Sequence, residues 1–250
     1  MACVRCLKPE PLCVCAVLRP VETRVFMLIL QHPQEQDVAL GTAQIAHLQL
    51  VNSRLCIGLS WPSLKAILGA EVDMKRWGVL YLGAVRQGQP TGEEIAVVGR
   101  GGEAVADADA ILAALDGIIL LDGSWAQAKA LWWRNPWLLK ARRLVLAPRT
   151  PSRYGKLRHE PRRDSLSTLE AAALCLARLE GEPALCDRLL EPFDVLLAAY
   201  KASRAPAASA AAPTLTHRGP AREDARTRRR SEGRAGGRGR GAGGRRGRRS

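Results

Sequence analysis

Residues 117–133 read GIILLDGSWAQAKALWW, a stretch that predicts a buried strand, a sharp turn and a helix. The strand is predicted from the apolar, β-branched run at 118–121. Gly123 permits a sharp turn, Ser124 is a favoured N-cap residue, and the tryptophans that follow recur at helical spacing. Asp122 therefore lies where a strand ends, at the edge where open α/β sheets commonly bind ligands. The turn alone leaves two interpretations of Asp122 open, a helix cap and a functional carboxylate.

The rest of the body alternates strands with helices. Near-continuous apolar runs predict the strands, and amphipathic segments with capping residues predict the helices. We expect strands at 24–30, 55–59, 79–82, 95–98 and 143–146, and helices at 42–50, 62–68, 107–115, 168–179 and 184–200. This alternation predicts an α/β fold with a mostly parallel sheet and helices on both faces. No predicted strand is followed by GxGxxG or by a P-loop sequence.

The basic charge is concentrated in residues 201–250. The formal net charge is +14, from 38 Lys and Arg against 24 Asp and Glu, and these fifty residues hold 15 of the former and 3 of the latter. From Ala205 the chain is rich in Ala and Pro, and from Thr227 in Arg and Gly. Such a composition buries too little apolar surface to offset the entropy of ordering, which predicts a disordered tail. Its charge predicts salt-dependent, sequence-independent affinity for RNA, the alternative being a tail that only aids solubility.

Four cysteines crowd the N-terminus, at Cys3, Cys6, Cys13 and Cys15. They form a C-x2-C pair and a C-x-C pair, separated by six residues. Four thiolates this close can reach one tetrahedral metal ion, and zinc is the usual occupant. Arg5 and Lys8 would offset part of their negative charge. An iron–sulfur cluster is the alternative occupant, and disulfides are disfavoured in a reducing compartment.

The composition indicates a soluble, intracellular protein. No apolar run is long enough to span a bilayer, and the first ten residues lack the apolar segment of a signal peptide. We therefore expect a cytoplasmic protein that does not enter a membrane. Its three predicted parts are a four-cysteine knuckle at 1–20, an α/β domain at 21–204 and the basic tail at 205–250.

Further candidate site residues follow the central stretch. Residues 148–158 combine basic side chains, hydroxyls and one aromatic ring, which suits phosphate contact and base stacking, although a solvated loop is the ordinary alternative. Ser167 and Glu170 form a predicted capping box, whose helix N-terminus is either a carboxylate site or a simple cap. At the end of the first strand, His32 is either a local hydrogen-bonding residue or a site residue.

Taken in order, these elements resemble the DTW-domain family. Asp122-Gly123-Ser124-Trp125 is similar to the family's D-x-[T/S]-W signature. The other matching elements are the N-terminal cysteines, His32-Pro33 with Glu35, the helix at Thr42, Asn135-Pro136, Ser152 with Tyr154 and Arg158, and Ser167 to Ala171. The match covers residues 3–200. Ser124 stands where Thr is commoner, the YLGAV segment after Val79 departs from the family's Tyr-Pro-like turn, and the Arg/Gly tail lies outside the pattern.

The resemblance implies a tRNA-uridine aminocarboxypropyltransferase with a SPOUT-like fold, whose knotted C-terminal part binds S-adenosylmethionine as co-substrate. Such an enzyme transfers the 3-amino-3-carboxypropyl group to N3 of a tRNA uridine, at position 47 of the variable loop in bacterial members. The products are acp3U and 5′-methylthioadenosine. Uridine N3 is a weak nucleophile until it is deprotonated, so Asp122 is the expected base. Zinc at the four cysteines would be structural.

The same interpretation distributes the remaining site residues. We expect contacts with S-adenosylmethionine from Ser124, Trp125, Ser152, Arg153, Tyr154, Arg158, Ser167, Thr168 and Glu170. We expect contacts with tRNA from His32, Glu35, Lys129 and Arg149. A monomer and a dimer both stay open.

Three other functions stay open on the sequence. A SPOUT-like RNA methyltransferase would use the same co-substrate but release S-adenosylhomocysteine. A non-catalytic zinc and Arg/Gly RNA-binding protein would depend on residues 205–250, whereas the enzyme would keep its activity in 1–204. A ribosomal-RNA aminocarboxypropyltransferase would share the chemistry, but the cysteine knuckle and the DGSW sequence favour tRNA.

Overall fold

A computed structural model describes residues 1–80, 95–146, 150–155, 157 and 166–204 of the chain. The strands are β1 (Phe26–Gln31), β2 (Ser53–Ile57), β3 (Trp77–Leu80), β4 (Ile95–Val98), β5 (Gly117–Asp122) and β6 (Arg142–Leu146). The α-helices are α1 (Ala43–Gln49), α2 (Leu64–Leu68), α3 (Ala108–Ala113), α4 (Trp125–Arg134), α5 (Thr168–Leu179) and α6 (Ala184–Arg204). Short 3-10 helices lie at Glu10–Leu12, Pro33–Glu35, Met74–Arg76 and Pro136–Lys140. The tail predicted at 205–250 lies outside the described residues.

The six described strands form one sheet in the order β2-β1-β5-β3-β6-β4. Every neighbouring pair is parallel except β4 with β6, which confirms the mostly parallel sheet. β5 lies between β1 and β3, and it pairs with β1 along its whole length, so that Gln31 is the register partner of Asp122. The carboxyl ends of these two central strands are therefore level.

Both faces of the central strands are buried, as expected of a parallel sheet covered by helices. On β1, Met27 and Ile29 belong to a core that includes residues of α1, α5 and α6. Leu28 and Leu30 belong to a second core, with residues of α2, α4 and the 3-10 helix Pro136–Lys140. β5 alternates in the same way, with Ile118 in the first core and Ile119 in the second. Asp122 lies two residues beyond Leu120 on β5, so it is on the face of the sheet that packs against the first core.

The N-terminal residues pack into the first core. Cys6, Leu12, Val14 and Leu18 are buried there beside apolar residues of α6. The knuckle at 1–20 thus packs on the same apolar surface as the helices.

The helix α6 is 21 residues long. No helix in the described part of the chain is both long and apolar enough to cross a membrane.

The predicted strand at 55–59 is shifted, because β2 spans Ser53–Ile57. Its last ladder partner is Gln31, where β1 ends before Pro33, so pairing cannot continue to residue 59. β2 begins with a polar residue, Ser53. Its Oγ donates to Leu50 O at 2.6 Å, so the hydroxyl has a hydrogen-bond partner at the start of the strand. The strand predicted at 79–82 begins earlier, at Trp77, and its residues 81–82 lie outside the described part.

Asn135 joins the end of α4 to the loop after β2. Its side chain is fully buried. Its Oδ1 accepts from Trp61 N at 2.8 Å, and its Nδ2 donates to Leu131 O at 2.8 Å and to Leu59 O at 3.1 Å. The Asn-Pro pair therefore ends the helix and also closes a network that holds the second core.

Asn135→Ala should lower the free energy of unfolding by about 1–3 kcal/mol, because it leaves buried backbone groups unpaired. Urea unfolding followed by circular dichroism measures this change. Gln36→Ala is the matched control, since the Gln36 side chain is exposed and donates to Pro33 O within the same loop. Equal midpoints for the two variants would contradict the role of Asn135.

Candidate functional site

The Asp122 carboxylate lies at the carboxyl edge of the sheet, and only 8 % of the residue is exposed. Gln31 Nε2 donates to its Oδ2 at 2.8 Å. The Thr168 hydroxyl, at the start of α5, donates to its Oδ1. The backbone of His32 donates to Asp122 O at 2.9 Å and continues the ladder by one bond. Two strands and one helix N-terminus thus converge on this carboxylate.

The turn after Asp122 requires glycine, and the cap of α4 comes from Ser124. Gly123 has φ +159°, and a Cβ at this position would lie 2.8 Å from Gln127 Cβ. Ser124 N donates to Gln127 Oε1 at 2.6 Å, while Ser124 Oγ accepts from Gln127 N, which completes a capping box. Of the two interpretations of Asp122, helix capping is therefore excluded.

A lysine from the knuckle is buried near Asp122. Lys8 is only 4 % exposed, and its Nζ donates to Val38 O at 2.9 Å. Burial lowers the pKa of the Lys8 ammonium to about 8, while the negative charges of Cys6 and Asp122 act in the opposite direction. The N-terminal knuckle thus brings a positive charge within electrostatic reach of the candidate carboxylate.

Glu170 ties the loop around residue 152 to the start of α5. It is only 4 % exposed. Its Oε2 accepts from Ser167 N at 2.7 Å and from Ser152 Oγ at 2.8 Å, and its Oε1 accepts from Arg153 N at 2.7 Å. The predicted capping box is confirmed, and the same carboxylate is a clamp for the preceding loop. The backbone N–H groups of Leu169 and Glu170 are taken by Thr42 Oγ1 and Ser167 Oγ.

The structure distributes the other predicted site residues over several surroundings. The Tyr154 ring packs edge-on against Phe193, and its hydroxyl donates to Leu40 O at 2.6 Å. The Arg153 guanidinium pairs with Asp194 on α6. Arg149 and Arg158 lie outside the described residues. The contacts predicted for all these side chains with a co-substrate or RNA stay predictions.

Of the candidate tRNA contacts, the structure describes His32 and Glu35, which follow β1, and Lys129, on the helix that follows β5. His32 is half-buried, and its Nδ1 accepts from Gln34 N at 3.3 Å, as the cap of a short 3-10 helix. Glu35 is buried, Trp125 is half-buried, and Lys129 is exposed on α4. His32 therefore has the local hydrogen-bonding role that the sequence left open, and its role towards RNA stays a prediction.

Gln31 and Thr42 were not predicted to belong to the site. Gln31 lies 91 residues before the carboxylate that it orients. Thr42 opens α1 as its N-cap residue, as predicted. Its hydroxyl does not cap this helix and instead accepts from Leu169 N at 3.1 Å on α5. The sequence contains one signal for Gln31: it is a polar residue at the end of β1 that continues the alternation of the buried Met27 and Ile29.

The four N-terminal cysteines form a compact thiol cluster. Their Sγ atoms all lie within 4.8 Å of one another. Cys3 Sγ is 3.6 Å from Cys15 Sγ, and Cys6 Sγ is 3.7 Å from Cys13 Sγ. A zinc ion with Zn–S bonds of about 2.3 Å separates its tetrahedral sulfurs by about 3.8 Å. The cluster is therefore compatible with a metal such as zinc.

The cluster is electrostatically uneven. Backbone hydrogen bonds from Cys6 and Arg5 lower the pKa of the Cys3 thiol to about 6. Burial raises the pKa of Cys15 to about 12. These backbone N–H groups thus favour the thiolate form of Cys3.

Together, the sheet order, the strand-end carboxylate and the thiol cluster describe an α/β protein with a knuckle packed against its core. The chain belongs to the DTW domain family, whose model matches residues 1–201. No solved structure matches the chain significantly.

Three curated proteins from different animals are similar to this chain, and they share one name. The mouse protein called tRNA-uridine aminocarboxypropyltransferase 2 is 30 % identical over 199 residues, which is 78 % of this chain and 61 % of the relative. The Drosophila melanogaster protein of that name is 31 % identical over 200 residues, 78 % of this chain and 72 % of the relative. The protein of that name from Macaca fascicularis is 28 % identical over 199 residues. The chain thus spans less than two thirds of the mouse relative.

Glu170→Gln should lower the free energy of unfolding by about 1–3 kcal/mol, because the new amide turns donor hydrogens toward a site where three donors converge. Chemical unfolding measures this loss. Glu191→Gln on the exposed side of α6 is the control. If both variants unfolded at the same denaturant concentration, the clamp would have no energetic role.

Purified protein should contain one zinc ion per chain, and Cys6→Ser should lose most of it, because a closed four-thiolate site needs every ligand. Inductively coupled plasma mass spectrometry measures the metal. Cys56→Ser, outside the cluster, should retain it. The prediction of a zinc site would be wrong if the wild-type protein contained iron and sulfide, or if it contained no metal.

Proposed function

We propose that this chain transfers the 3-amino-3-carboxypropyl group of S-adenosylmethionine to N3 of a tRNA uridine. The observation that carries the proposal is the Asp122 carboxylate, held at the carboxyl edge of the sheet by Gln31 and Thr168. The names of the curated relatives support the reaction class and the tRNA substrate. A uridine in the variable loop is proposed from the family resemblance alone.

In the proposed reaction, Asp122 removes the proton from N3. N3 then forms a bond to Cγ of the methionine chain, the Cγ–S bond breaks, and its electron pair stays on sulfur. A carboxylate accepts about four hydrogen bonds, and two are used here by Gln31 and Thr168, so acceptor positions remain for the N3 hydrogen. These two donors also fix the rotamer of Asp122, which is the positioning that proton transfer requires.

S-adenosylmethionine would supply a sulfonium leaving group, so no catalytic metal is required. Ser124 and Trp125 follow Asp122 after Gly123, and the Thr168 hydroxyl contacts the Asp122 carboxylate from α5, so these residues are the proposed wall of the co-substrate site. Glu170 and Ser152 are proposed to act without contacting the co-substrate, because their hydrogen bond holds the loop around residue 152 in place.

The four-cysteine knuckle is proposed to hold a structural zinc ion. All four positions of such a site are occupied by thiolates, which leaves none for a substrate. Its part in the reaction would be to fold residues 1–20 and so to place Lys8 within electrostatic reach of Asp122. The catalytic part is proposed to span 21–204, with residues 205–250 adding non-specific RNA affinity.

Asp122→Asn should reduce kcat about 100-fold or more, because the amide cannot take the N3 proton. The fold should persist, because Thr168 can rotate its hydroxyl to accept from the amide. The measurement is mass spectrometry of nucleosides from unmodified tRNA incubated with S-adenosylmethionine and enzyme.

Asp109→Asn, on the exposed side of α3, is the matched control and should act as wild type. An Asp122→Asn variant with the wild-type rate would overturn the base role. Wild-type enzyme that leaves every uridine unmodified in bulk tRNA would overturn the function itself.

A further inference from the structure

Trp133 is the most exposed aromatic side chain that the structure describes, with 71 % of its surface accessible. The buried residues of α4 are Ala128, Leu131 and Trp132. The helix therefore already has its apolar face, and Trp133 adds nothing to it. A large exposed apolar residue on such a helix is the informative exception to burial.

Positive side chains surround Trp133. Lys129 lies one turn before it on the same side of α4, and Arg134 follows it. Both are exposed, as is Lys140 in the next 3-10 helix. Residues 123–159 contain no Asp or Glu, but they contain nine basic residues: Lys129, Arg134, Lys140, Arg142, Arg143, Arg149, Arg153, Lys156 and Arg158. This part of the chain favours a polyanion.

A groove of about 470 Å³ continues this surface at the end of α4. Its lining includes Trp61, Trp137 and the cations Arg134 and Lys140. Trp137 Nε1 donates to Trp61 O at 2.9 Å, and Trp61 N donates to Asn135 Oδ1 at 2.8 Å. Since the protein itself satisfies these donors and Trp137 is only 8 % exposed, what the groove offers a ligand is the half-buried Trp61 and positive charge. We call Lys129, Trp133, Arg134 and this groove the α4 surface.

Building on the proposed function, we infer that the α4 surface binds unpaired tRNA nucleotides next to the target uridine. Aromatic rings that stack on bases, with cations that contact phosphates, are the chemistry of single-stranded RNA recognition. Trp133 lies eight residues along α4 from Trp125, about 12 Å at 1.5 Å per residue. A few stacked nucleotides, each rising about 3.4 Å, cover that distance from the Asp122 end.

The test uses the full chain and unmodified tRNA at several salt concentrations, with filter binding for affinity and initial rates for KM and kcat. Trp133→Ala should weaken binding about tenfold and raise KM more than it lowers kcat, whereas Trp133→Phe should retain most of the affinity. The double variant Arg134→Gln/Lys140→Gln should reduce the slope of log affinity against log salt by about 1.4, because each lost single-strand contact contributes about 0.7.

Arg188→Gln/Lys201→Gln on α6 is the matched control, since it removes the same charge from exposed helical positions. Every variant keeps residues 205–250, so the contribution of the tail cancels. Wild-type affinity in both the Trp133→Ala and the Arg134→Gln/Lys140→Gln variants, or an equal loss in the α6 control, would overturn the α4 surface while leaving the proposed function intact. If the variants bound tRNA as expected but wild-type enzyme made no modified uridine, the proposed function would fail and the surface would stand.

Discussion

The level pairing of β1 with β5 is the constraint on which the candidate site depends. Gln31 and Asp122 are register partners at the ends of both strands, so the amide meets the carboxylate directly. The apolar residues before them alternate between two cores. A slip of one residue would exchange those cores and point either polar side chain to the other face. The alternation that makes the sheet therefore also positions the carboxylate.

The second constraint is electrostatic. A carboxylate that is 8 % exposed is costly unless donors and opposite charge compensate it. Gln31 and Thr168 supply the donors, and Lys8 supplies charge from a segment that precedes the sheet. Because Lys8 lies between Cys6 and Cys13, we expect the folding of the thiol cluster to affect the charge balance at Asp122.

The local features were predictable because they depend on residues within one helical turn. The strand, turn and cap at 117–134 follow from apolar runs, a glycine and Ser124, and the S-x-x-Q spacing would also have identified Gln127 as the partner in the capping box. Gln31 and Thr42 were missed, because their partners lie 91 and 127 residues away. Lys8 was expected beside the thiolates, but its approach to Asp122 depends on how residues 1–20 pack in the first core.

The proposed reaction transfers the aminocarboxypropyl chain of S-adenosylmethionine and not its methyl group. The most direct measurement supplies wild-type enzyme and tRNA with S-adenosylmethionine that carries an isotopic label either in the methyl carbon or in the aminocarboxypropyl chain. If Asp122 and its neighbours catalyse aminocarboxypropyl transfer, the label in the chain enters tRNA on uridine, while the label in the methyl carbon is recovered in 5′-methylthioadenosine. Methyl label in tRNA, with release of S-adenosylhomocysteine, would contradict the proposed reaction.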